Sequence, residues 1–72
     1  MALIQNKITY TTYNAYYDAR IENTRYLARP YRLTELGAER IIRREFRDTN
    51  EPGPDPNDVC VIHIEYQIEA PQ

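Results

Sequence analysis

Between residues 59 and 69 the chain reads Val-Cys-Val-Ile-His-Ile-Glu-Tyr-Gln-Ile-Glu. Cys60, Ile62, Ile64, Tyr66 and Ile68 share one parity; His63, Glu65, Gln67 and Glu69 share the other, after Val59 and Val61. Successive strand residues point to opposite faces, so this alternation predicts a strand with one face on a core and one in water. An antiparallel sheet accommodates that asymmetry.

Upstream, residues 49–58 read Thr-Asn-Glu-Pro-Gly-Pro-Asp-Pro-Asn-Asp. Three prolines and a glycine forbid helix and central strand alike, so an exposed, stiff, acidic loop is predicted at 49–58. Residues 34–48 carry the helix signals. Thr34 suits an N-cap, Glu35 sits in the first turn, and Leu33 and Ala38 occupy the positions of a hydrophobic staple. At 100° per residue Ala38, Ile41, Ile42 and Phe46 share one arc, while Arg40, Arg43, Arg44 and Arg47 fill the opposite one. Glu39 and Arg43 form an i,i+4 pair, Leu36 falls in the basic arc, and Gly37 weakens the second turn.

The first third is rich in Thr, Tyr and Ile, which suit a pleated, half-buried strand. One is predicted near 4–13, with Asn14 and Asp18 as turn residues, and a shorter one near 24–29, stopped by Pro30. The fold class is then α+β: a small antiparallel sheet of about three strands with one helix on a face, in the order β-β-α-β. Ile41, Ile42, Phe46, Ile62 and Ile64 are the expected core, and Cys60 is expected to point into it.

At 72 residues the chain suits a single small domain, 1–72, too short for a two-domain cofactor enzyme. Such a domain buries only about 60% of its unfolded surface, so a partner can supply missing stability. No run approaches the roughly 20 apolar residues of a membrane span. Met1–Lys7 contains no charged leader followed by an apolar stretch, and Cys60 is the lone cysteine, so a cytoplasmic, reducing location is expected.

Charge is informative in its distribution. The net value of −2 argues against a general nucleic-acid binder. Residues 20–47 hold eight arginines against four glutamates, whereas residues 48–72 hold six acids and no Lys or Arg. Eight arginines to one lysine, with seven tyrosines, is the composition of a protein-binding face, since both residue types anchor interfaces. Arg29, Tyr31, Arg40, Arg43 and Arg44 are the candidate partner-binding residues. Tyrosines that a single helix cannot cover could alternatively stack single-stranded bases, but the acidic end would repel phosphate.

Other chemistry is thin. Asp48, Asn50 and Gly53 echo the start of a calcium loop, but Pro52 and Val59 stand where ligands belong. His63 lies near Glu65 with no nucleophile or metal ligand beside it, and Cys60 reads as a small hydrophobe. No catalytic, cofactor or metal site is expected, and the chain is read as a non-enzyme.

Asn23-Thr24-Arg25-Tyr26-Leu27-Ala28-Arg29-Pro30-Tyr31, followed after eight intervening residues by Arg40-Ile41, resembles the small CpcD-like linker domain of phycobilisomes, a family that includes core linkers of allophycocyanin. There an Asn-Thr-aromatic segment enters a strand ending in Pro-Tyr, and a helix ends near Arg-Ile. Lys7-Ile8-Thr9 is similar to that family's first strand, and Val61-Ile62-His63-Ile64 to its last. The acidic loop 49–58 stands where that family has a tight Gly-Gly turn, and its members are basic. The resemblance implies the same β-β-α-β order. It also implies a structural role: docking into phycobiliprotein rings at the cytoplasmic face of the thylakoid membrane, supporting light harvesting without binding pigment. Arg29, Tyr31, Arg40 and Arg44 are the positions it carries over. The rival expectation is a small phage-type inhibitor or adaptor acting through Glu51, Asp55, Asp58, Glu65 and Glu69, for example on a nucleic-acid-processing complex.

Overall fold

The computed structural model describes residues 3–49 and 55–68. Their elements run β1 (Ile4–Asn14), β2 (Ala19–Arg29), α1 (Glu35–Asp48), a 3-10 turn (Pro56–Asp58) and β3 (Cys60–Ile68). The strands form one antiparallel sheet in the order β2-β1-β3, with β1 central. The small α+β architecture expected from the sequence is the one observed. Helix α1 packs toward β3 and the 3-10 turn.

β2 starts five residues earlier than its side-chain pattern predicts. Pairing with β1 is unbroken from Asn14–Ala19 to Ile4–Arg29, so backbone hydrogen bonding makes residues 19–23 a strand even though most of their side chains are exposed. Asn14 and Asp18 set the turn as expected. The Asn14 side chain accepts from the Tyr16 and Tyr17 amides at 2.9 and 3.3 Å, and Asp18 takes the left-handed φ of 48° that Asp tolerates.

β3 departs from the predicted parity. Thr9 pairs with His63 and Tyr10 with Val61, so Ile62 is one extra residue in a bulge. Beyond it Ile64 and Tyr66 oppose Ile8 and Asn6 on the face toward the helix, as the alternation requires. Before it the parity is reversed. Val59 and Val61 are buried, Ile62 is 49% exposed, and Cys60 is exposed rather than in the core. Ile62 therefore leaves the expected core and the two valines enter it. The buried set is Ile8, Tyr10, Leu27, Leu33, Ala38, Ile42, Val59 and Val61, with Ile41, Phe46 and Ile64 packed against it.

A buried amide locks the crossing from β2 to α1. Asn6 is fully buried, where an unpaired amide would be expensive. Its nitrogen donates to the carbonyls of Leu27 (3.0 Å), Ile4 (3.2 Å) and Tyr31 (3.4 Å), and its oxygen accepts from the Leu33 amide at 2.9 Å. The Tyr66 hydroxyl donates to the Leu33 carbonyl at 2.6 Å, and the Arg32 guanidinium lies 5.3 Å from the Tyr66 ring centroid. The chain between strand and helix is thus held from both β1 and β3.

Thr34 caps α1 through a 3.0 Å bond from the Gly37 amide. A Cβ on Gly37 would lie 3.1 Å from that hydroxyl, so the glycine that weakens the turn also makes room for the cap.

The predicted loop is only partly a loop. Thr49 and Asp55 are exposed, and residues 50–54 lie outside the described residues. Asp55 caps the turn at Pro56–Asp58 by accepting from the Asn57 amide at 2.9 Å. The turn packs against α1, and Arg20 reaches it across β1. Its Nε donates to Thr11 Oγ1 at 2.9 Å and its Nη2 to the Thr11 carbonyl at 3.2 Å and to the Asp58 carbonyl. Residues 55–58 are therefore part of the fold, because Val59 behind them must be buried.

Candidate protein-docking face

Arg29 ends β2, Arg40 and Arg44 stand one turn apart on α1, and these three line one groove of about 360 Å³ with Ile41, Glu45 and Asp48. Ile41, half-buried against the core, gives the groove an apolar wall. Glu45 is already paired, with Arg25 of β2 at 2.7 Å. Among the described residues no carboxylate lies within 4.0 Å of the Arg29, Arg40 or Arg44 guanidinium. With Glu45 neutralised, three cations face one carboxylate, Asp48.

The other two candidates are placed differently. Arg43 turns toward its own fold: Nη2 donates to the Val59 carbonyl at 3.2 Å and lies 3.6 Å from Glu39. It therefore ties helix to strand and is absent from the groove lining. Tyr31 lies two residues beyond Arg29, with its carbonyl held by Asn6 and its side chain among the exposed large apolar groups at 54%. Glu45, Asp48 and Ile41 are groove residues that the sequence reading missed. An i,i+4 step from Ile41 to Glu45, beside Arg40 and Arg44, was the available signal.

The remaining reactive groups are dispersed. His63 and Glu65 form an exposed pair at 3.3 Å on the sheet's outer face, where Cys60 is also exposed. Of the acids of the inhibitor expectation, Asp55 and Asp58 bracket the 3-10 turn and Glu65 is across the sheet, while Glu51 and Glu69 lie outside the described residues. The calcium-loop positions Asn50, Pro52 and Gly53 lie there too. No group of three or more His, Cys, Asp or Glu that could hold a metal occurs among the described residues. Among the described residues no helix is long and apolar enough to cross a membrane. A second cavity of about 540 Å³ opens at the hairpin end, lined by Thr12, Tyr13, Asn14, Ile21, Asn23 and Asp58 among others.

Two phenols are perturbed. Burial raises Tyr10 above the usual tyrosine value, and a hydrogen bond to the Asp18 carboxylate raises the exposed Tyr13.

No family model, curated protein or solved structure matches this chain.

Proposed function

We propose that this chain is a protein-protein interaction module that docks through the arginine groove between β2 and α1. The observation that carries the reading is the meeting of Arg29, Arg40 and Arg44 on one groove with no ion partner among the described residues. Arginine's planar donors pair carboxylates bidentately, so the surface recognised on the partner is acidic. Tyr31 adds exposed aromatic area next to Arg29 in sequence. Arg43 supports the helix from beneath and contributes to docking only through the pose of α1.

The finer reading is a phycobilisome-type small linker, docking into phycobiliprotein rings and supporting light-harvesting assembly. It rests on the Asn-Thr-aromatic and Pro-Tyr segments and is in keeping with the β-β-α-β order. The test is co-sedimentation with purified phycobiliprotein trimers, read by absorption. Wild type should travel with the rings and shift their spectrum. Arg40→Glu combined with Arg44→Glu should abolish both while circular dichroism stays unchanged. Wild-type protein that leaves rings and spectrum untouched would overturn the linker reading. Binding that survives the charge reversal would overturn the groove.

A further inference from the structure

The two edges of the sheet are built differently. Edge strands expose unpaired backbone donors and acceptors, and proteins blunt them with bulges, prolines or short length. β3 carries the bulge at Ile62. β2 is 11 residues long, contains no proline, pairs with β1 without irregularity, and has no neighbour along its outer edge among the described residues. Its one charge midway along the helix-side face, Arg25, is neutralised by Glu45.

From this we infer that β2 pairs with β2 of a second copy, antiparallel about a two-fold axis through Thr24, to give a six-stranded sheet. The sequence of β2 fits that arrangement. Centring on Thr24 is the register in which all 11 residues pair, Ala19 with Arg29 of the second copy through to Arg29 with Ala19. It sets Thr24 against Thr24, Asn23 against Arg25, Glu22 against Tyr26 and Ile21 against Leu27, with no like charges opposed. The next register in one direction stacks Arg25 on Arg25; in the other, Ile21 faces Arg25 and the apolar pair is lost. Ile21, 37% exposed, and Tyr26, 55% exposed, gain cover. The same register lays the exposed hairpin tip, with Tyr16 and Tyr17, along Pro30 and Tyr31 of the second copy. α1 meets β2 on one face of the sheet, through the Arg25–Glu45 pair and the arginine groove, and β2 stays the terminal strand of the sheet among the described residues. This inference does not rest on the proposed docking partner.

Thr24 is exposed on the outer face, so charged substitutions there leave the monomer intact. Sedimentation equilibrium of the full chain should give a monomer–dimer equilibrium. Thr24→Lys and Thr24→Glu should each weaken it by about tenfold or more, because like charges then oppose each other on the axis. An equimolar mixture of the two variants should restore a 1:1 dimer. Spin labels on the lone Cys60 should report a separation of about 25–30 Å, from five inter-strand steps and a four-residue offset. A wild-type chain that stays monomeric at millimolar concentration overturns the inference. So does a dimer indifferent to both charges, as pairing through β3 would give, or one whose labels lie well outside about 25–30 Å.

Discussion

The Leu33 amide donates to Asn6 Oδ1 across 2.9 Å, joining the centre of the sheet to the residue that precedes the helix cap. Asn6 is fully buried, and its amide offers an acceptor to Leu33 and a donor to Leu27 at once. Asn6→Leu keeps the branched shape of the amide but adds bulk and orphans those groups, and should destabilise the fold by about 2–4 kcal/mol. Urea denaturation followed by circular dichroism measures it. A loss below about 0.5 kcal/mol would mean that the crossing is held by Tyr66 alone.

The bulge makes opposite predictions for adjacent residues. Val61→Ala should cost about 1.5–2.5 kcal/mol, since it removes buried methyls, whereas Ile62→Ala should stay within about 1 kcal/mol. Equal losses at both positions in matched melts would place the bulge elsewhere. On the helix, Ile42→Ala should cost about 2–5 kcal/mol and exceed Ile41→Ala, because only Ile42 is fully covered.

The 3-10 turn should matter more than its proline content suggests. Asp55→Ala removes its cap and should cost about 0.5–2 kcal/mol. Arg20→Ala frees the turn from β1, and amide exchange at Asp58 and Val59 should quicken relative to wild type. Unchanged exchange there would show that Arg20 does not hold the turn.

Stability should fall at alkaline pH. Burial raises Tyr10 in the folded chain above the ordinary value of 10.0. Below pH 10 both states keep the phenol neutral and the full contribution is present; as pH rises, the unfolded chain ionises first and stability is lost through the folded value. Tyr13 shifts in the same direction but is exposed, so water screens its share. Tyr10→Phe should therefore flatten the decline above about pH 10 in urea titrations. An identical slope in wild type and variant would remove Tyr10 as its source.

Local chemistry alone specified much of this fold. The Thr34 cap, the Ala38–Ile42 stripe, the Asn14 and Asp18 turn residues and the alternation from Ile64 onward each involve neighbours within one turn or strand, and each appears where the residues predict. The bulge was partly legible: Val61 and Ile62 are adjacent apolar residues, and the helix-side series 59, 61, 64, 66 steps by three once. Choosing which of the two is the extra residue required β1, because Thr9 and Tyr10 set the register. β2's first half, the Asn6 clamp, Arg20's reach to Asp58 and Arg43's bond to Val59 join residues 5–38 positions apart. The arginine groove is of the same kind. Sequence placed Arg40 and Arg44 on one helical face, but only packing of that helix beside the end of β2 brought Arg29 to them and turned Arg43 away, since burying Val59 and Val61 fixed how α1 is rotated on the sheet.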